Sequence, residues 1–180
     1  MHLTEGSYDS IVVMPIYTLN GNFGGAINIS TFVLQIAAHG LAQGPLPQLP
    51  AGAVTNLGPS GTHLLPIAVA PAKAVAIGLI TCASVIYAST DPGAFAGTFI
   101  HHANAGHVGH GDVTAARAAL GNPPWTSVIV VFAHPGPQDP GYNASIATIA
   151  APGVLPNNIV EIPNLTAGQF GVNNLGQIGF

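Results

Sequence analysis

The side chains with the clearest capacity for chemistry are one thiol and two imidazoles. Cys82 is the only cysteine of the 180-residue chain, and His101 and His102 follow nineteen and twenty residues later. The residues between them read as a strand, a tight turn and a strand, so the two ends of this hairpin are expected side by side. A thiol beside an imidazole is the arrangement that a thiolate nucleophile requires. Because neighbouring strand residues face opposite ways, only one of the two histidines can be its partner.

A denser group of imidazoles continues from the second strand of this hairpin. The segment His101–Asp112 (HHANAGHVGHGD) contains four histidines, and His107 and His110 lie in its glycine-rich part. Imidazole nitrogens are good zinc ligands, so a metal site with Cys82 as a further ligand is one alternative. The spacing matches no HExxH pattern, and the glycines indicate a flexible loop. We therefore expect these histidines to bind no metal, and we expect no cofactor.

The remaining titratable residues offer less. His134 ends a long apolar run and is predicted to be structural. Asp91, Asp139 and Glu161 are isolated in the sequence, so no carboxylate pair for glycosidase chemistry is expected.

Charge is scarce, and this excludes one class of function. The chain has two Lys and Arg residues against six Asp and Glu residues, which gives a net charge of −4. Two cations cannot form a basic patch, so binding to nucleic acid through phosphate neutralisation is excluded. A lone cysteine excludes an internal disulfide, and the length favours a single domain over residues 1–180.

The apolar pattern predicts a chain rich in strands. Strands are predicted over 10–18, 62–70, 74–80, 82–89, 97–103, 125–134, 142–150 and 154–162, and helices over 29–39 and 112–120. Residues 41–61 are predicted to form a long loop, and the tail from Asn164 is predicted to be loosely ordered. The expected fold class is α+β, with a β-sandwich-like core of mixed or antiparallel strands flanked by two or three short helices. The apolar stretch 64–88 contains Pro66, Pro71 and Lys73, so no membrane span is expected.

The order of elements from residue 74 to residue 134 resembles that of the cysteine-dependent glutamine deamidases. This superfamily includes the chemotaxis deamidase CheD, the catalytic domain of cytotoxic necrotizing factor and Burkholderia lethal factor. The run Leu79–Cys82 (LITC) stands where the last of these has Leu-Ser-Gly before its nucleophile, with Thr81 in place of Gly. The run His102–Ala105 (HANA) stands where it has His-Ile-Asp-Ala, and Asn174–Gln177 is similar to a stretch near its C terminus.

The resemblance implies a mechanism and a substrate. Cys82 would be the nucleophile and His102 the general base and acid, with His101 as the alternative and Thr81 beside the oxyanion. A backbone carbonyl is expected to orient the imidazole, because Asn104 is too close along the strand. The substrate would be a Gln side chain of a partner protein, which is converted to Glu, and the chain would be a bacterial toxin or effector that acts in a host cytosol.

Two other functions remain open on the residues alone. One is a non-catalytic β-rich structural or interaction protein with a buried cysteine, and the other is the metal protein of the histidine cluster. The first ten residues combine neither a cationic start nor an apolar run. We therefore expect a soluble protein without a cleavable signal peptide, and its location stays open.

Overall fold

The computed structural model describes residues 17–18, 27–28, 48–66, 70–89, 97–136, 140–165 and 167–180. The helix predicted over 29–39 lies outside these residues, and so does the strand predicted over 10–18 except for its last two positions. No helix among the described residues has the length and apolar character needed to cross a bilayer.

A six-stranded mixed sheet forms the centre of the molecule. Its strands, in order across the sheet, are β1 (Tyr17–Thr18), β9 (Ile159–Ile162), β8 (Val128–Ala133), β6 (Ala83–Ser89), β7 (Gly97–Ala103) and β4 (Thr62–Pro66). β9 runs parallel to β1 and β8, and the other pairs are antiparallel. β7 and β8 are buried at every position and β6 at every position but its last, which explains the continuous apolar runs in the sequence.

A five-stranded sheet packs on one face of this central sheet. Its order is β2 (Ile27–Asn28), β11 (Gln177–Gly179), β10 (Gln169–Asn173), β5 (Ala72–Ile77) and β3 (Ala53–Leu57), with only β3 and β5 parallel. Apolar side chains of both sheets, among them Ile86, Ile100 and Phe170, fill the space between them. The two sheets therefore form a sandwich.

Two helices cover the opposite face of the central sheet. They are α1 (His110–Ala119) and α2 (Pro140–Ala150). Val113 and Ile146 of these helices pack against Val85 and Phe132 of the sheet. The α+β prediction with a sandwich core and short helices is confirmed.

One predicted strand is wrong. Residues 142–150 form most of α2, and the buried positions Tyr142, Ser145, Ile146 and Ile149 are spaced three or four apart. Pro140 occupies the first helical position, where its missing N–H is harmless.

The two segments predicted to lack regular structure also contain strands. Residues 53–57 of the predicted loop form β3, and residues of the predicted loose tail form β10 and β11. Phe170 and Ile178 of this tail are buried between the sheets. Its polar residues make a tight turn, because Asn173 Oδ1 accepts hydrogen bonds from the backbone N–H groups of Leu175 and Gln177.

Candidate active site

The register of the β6–β7 pair decides which side chains share a face. Ser84 lies opposite His102 and Val85 lies opposite His101. One step beyond the paired residues, Cys82 and Asn104 approach each other across the end of the hairpin, with 3.7 Å between Sγ and Oδ1. Cys82 and His102 therefore share the face that meets the five-stranded sheet, as diagonal neighbours.

The ring of His102 is held by one nitrogen. Nδ1 lies 2.8 Å from the carbonyl oxygen of Leu57. A carbonyl oxygen only accepts, so Nδ1 carries a hydrogen, and in the neutral ring the lone pair is therefore on Nε2. Nε2 is buried and has no hydrogen-bond partner among the described residues. This is the tautomer that a general base requires, and the expected orienting carbonyl is that of Leu57.

The backbone of His102 is fixed by the turn between β3 and β4. Its N–H donates to Gly61 O at 2.8 Å, and its carbonyl accepts from the Ser60 N–H at 2.8 Å. Ser60 adopts a positive φ of 64° to make this turn. The same short segment thus holds both the main chain and, through Leu57, the ring of His102.

His101 faces the other way. Its strand neighbours Phe99 and Ala103 pack in the core under the helices, and its own side chain is buried. Burial lowers the pKa of His101, the neighbouring His102 adds to this, and Asp112 opposes it in part. The alternative of His101 as the thiol's partner is therefore wrong, because the sheet lies between them.

The thiol sits just beneath the surface. Cys82 is 7 % exposed, whereas the preceding Thr81 is exposed and Ile80 is 83 % exposed. The part predicted for Thr81 in oxyanion binding stays a prediction.

Asn104 is the site residue that sequence reasoning dismissed. It begins a 3₁₀ turn (Asn104–Gly106) in which Ala105 has φ 50° and Gly106 has φ 68°. A Cβ on Gly106 would collide with the ring of Tyr142. No local sequence pattern could have identified it, because only the observed register of the hairpin places Asn104 opposite the thiol.

Helix α2 fixes this turn through a serine hydroxyl. Ser145 Oγ donates to Gly106 O at 2.8 Å and accepts from the Val108 N–H at 3.1 Å. All three groups are buried in the structure. The position of Asn104 over the thiol is therefore set from the helical layer.

A second buried histidine lies on the helix face. His134 Nε2 is 2.8 Å from Glu161 Oε1, and both side chains have no solvent exposure. The His134 ring stacks on Tyr142, with ring centroids 3.9 Å apart at 25°. The structural role predicted for His134 fits this packing. Glu161, which the sequence shows without a second carboxylate nearby, contacts His134 because β8 and β9 pair side by side.

The arrangement of His107 and His110 gives little support to the alternative of a metal site. His107 and His110 are both exposed. Within the described part of the chain, no three His, Cys, Asp or Glu side chains converge as metal ligands do. A cavity of about 190 Å³ between Pro71 and Leu175 lies at the opposite end of β5 from the thiol and contains no titratable side chain.

The site thus combines a thiol, an imidazole and a side-chain amide, and no charged side chain among the described residues forms a hydrogen bond or ion pair with them. Such a set suits attack on a neutral carbonyl carbon. Neither a protein-family model nor a curated protein matches the chain.

Proposed function

We propose that the protein is a cysteine-dependent amidohydrolase that deamidates Gln side chains of a partner protein. The observation that carries this proposal is the buried ring of His102. Its Nδ1 is anchored on Leu57 O, and its unpartnered Nε2 shares a sheet face with Cys82. A buried nitrogen without a partner destabilises a fold. His101 and His134 each have one as well among the described residues, so the thiol on the same sheet face is what favours His102 as a base.

The site supports a two-stage reaction. Nε2 of His102 takes the thiol proton, and the thiolate attacks the carboxamide carbon, forming a C–S bond. The tetrahedral intermediate collapses with cleavage of the C–N bond, and His102 returns the proton to the departing nitrogen as ammonia leaves. His102 then deprotonates a water molecule that hydrolyses the thioester, and the thiol is regenerated.

The depth of the thiol favours a side-chain amide over a backbone amide. Cys82 is 7 % exposed and lies behind the exposed Ile80 and Thr81. A Gln side chain carries its carboxamide on two methylene groups and can reach below this rim, whereas a peptide bond of a folded partner cannot. The resemblance to the glutamine deamidases points to the same substrate class, and a toxin or effector role belongs to this proposal.

The same burial favours a second candidate. Cys82 packs in the apolar cluster between the two sheets. A thiol in that place is also what a non-catalytic β-rich structural or interaction protein would contain.

Alkylation and mass spectrometry separate the two candidates. We expect iodoacetamide to label Cys82 faster in the folded protein at pH 7 than in the urea-unfolded chain, because His102 generates the thiolate. Intact-mass analysis of Gln-bearing partner proteins should show the gain that accompanies replacement of –NH₂ by –OH, with release of ammonia. Cys82→Ser should abolish both signals, and His107→Gln, which removes an exposed imidazole close in sequence, is the matched control. Slower labelling in the folded protein, with no ammonia released, would favour the structural thiol.

A further inference from the structure

We propose that Asn104 is a further catalytic residue, whose side-chain amide hydrogen bonds to the Cys82 sulfur and then to the oxyanion of the substrate. The inference rests on the proposed function and deepens it by naming the oxyanion donor. Its starting point is the 3.7 Å contact between Cys82 Sγ and Asn104 Oδ1 at the end of the hairpin.

A side-chain amide suits both protonation states of the sulfur. The neutral thiol donates to Oδ1 of Asn104. After His102 has removed the proton, the sulfur only accepts, and the amide must present Nδ2 instead. Asn104 is exposed, so its amide can rotate without displacing core side chains.

The second observation that points to a substrate is the unpartnered ring nitrogen of His102. His102 Nε2 is fully buried and unpartnered among the described residues, on the face that Cys82 shares. The sulfur lies opposite Asn104, which already contacts it, and is a diagonal neighbour of His102 on the same sheet face. A carboxamide that reaches the sulfur from the surface enters beside Asn104.

The backbone of the turn that positions Asn104 is strained. Ala105 is a non-glycine residue at φ 50°, a region that costs of order 1 kcal/mol or more. Gly106, at φ 68°, packs against Tyr142 so closely that no side chain fits. Ser145 then ties Gly106 and Val108 to α2. These contacts pre-organise Asn104 instead of leaving it on a mobile loop.

Asn104 neither gains nor loses a proton in the proposed step. When the thiolate adds to the carboxamide carbon, the π electrons of the C=O bond move onto oxygen, and Nδ2–H donates to that oxygen. When the C–N bond breaks, the electrons return, and the proton on the leaving nitrogen comes from His102. Asn104 thus stabilises charge that develops only in the transition state, which affects kcat more than KM.

Two variants of the full chain test the inference. Asn104→Ala removes the donor, and Asn104→Asp keeps the shape but offers only acceptor oxygens. We expect either change to lower kcat for Gln deamidation by about 100- to 1000-fold with little change in KM, as for loss of one oxyanion donor. Asn157→Ala, at an exposed position remote from the site, is the matched control. Wild-type kcat in both Asn104 variants would overturn the inference and leave the proposed function standing.

The pH profile of alkylation needs no protein substrate. Iodoacetamide labelling of Cys82 should move to higher pH in Asn104→Asp, because a carboxylate beside the sulfur disfavours the thiolate. A labelling midpoint equal to that of the wild type would place the amide away from the sulfur and overturn the inference. If Cys82 of the wild-type protein is alkylated slowly and the protein releases no ammonia, the proposed function itself is overturned.

Discussion

Two histidines on opposite faces of the central sheet have the same burial and different surroundings. His102 and His134 both have no solvent exposure, and strand β6 separates them. Each ring has one nitrogen in a 2.8 Å hydrogen bond and one nitrogen without a partner in the described part of the chain. Burial and an orphaned nitrogen therefore do not distinguish a functional histidine from a structural one.

The bonded partner and the neighbour of the free nitrogen do distinguish them. His102 donates to a backbone carbonyl, which fixes the neutral tautomer, and a thiol shares its face. His134 contacts the carboxylate of Glu161, and the Tyr142 ring covers its face. Under the proposed function, the first environment holds His102 as a general base for the thiol. The second environment joins β8 and β9 to α2.

Matched glutamine substitutions should separate the two roles most strongly. His102→Gln keeps a donor for Leu57 O but has no titratable nitrogen. We therefore expect the rates of substrate deamidation and of Cys82 alkylation to fall about 10²- to 10⁴-fold, with little loss of stability. His134→Gln should lower the free energy of unfolding by about 1–3 kcal/mol, through loss of the stacked ring, and leave kcat near wild type. Urea denaturation and turnover on the same samples check both. Equal loss of turnover in the two folded variants would end the distinction.

Ser145→Ala tests whether the contacts of α2 on one face of the sheet are needed for catalysis at Cys82 on the other face. The substitution leaves a buried N–H of Val108 and a buried carbonyl of Gly106 without their hydroxyl partner. We expect the free energy of unfolding to fall by about 2 kcal/mol and kcat to fall with it, as the Asn104 turn loosens. Thr148→Ala, which removes an exposed hydroxyl bonded within the same helix, should leave both unchanged. Lower stability with an unaltered kcat would show that the two faces act independently.

The smallest effect concerns the third buried histidine, His101. Its pKa lies below the ordinary value of 6.5 in the folded protein, mainly through burial. As the pH falls below about 6.5, the unfolded chain binds this proton first, so stability is lost with a slope of at most about 1.4 kcal/mol per pH unit until the folded-state pKa is passed. His101→Gln should flatten that slope in urea titrations between pH 7 and pH 5, whereas His107→Gln should not. An unchanged slope in His101→Gln would assign the acid sensitivity to other groups.

The sequence predicted the central strands and the hairpin well, because both depend on local pattern. β7 lies where the pattern placed it, and β6 begins one residue later than predicted. Strand alternation alone required that only one of His101 and His102 face Cys82, and the register then selected His102. The choice needed the partner strand's alignment, which no local pattern contains.

Non-local contacts account for what the sequence did not reveal. The anchoring of His102 on Leu57 and the pairing of His134 with Glu161 join residues 45 and 27 positions apart. The strands β10 and β11 form because β5 lies beside β10 and the sheet beneath offers apolar surface, although their own sequence is rich in Gly and Asn. The assignment of α2 failed for a different reason, since its Ile and Thr residues suit either structure when only the chain is read.

The order of strands across the two sheets has a consequence for how the chain folds. β9 pairs with β1 and β11 pairs with β2, so each sheet joins an early segment to a late one. During synthesis, neither sheet can be completed until those late strands have left the ribosome. Until then, the apolar strands β6–β8 remain partly exposed to solvent. Slow folding is the expected outcome of such long-range pairing.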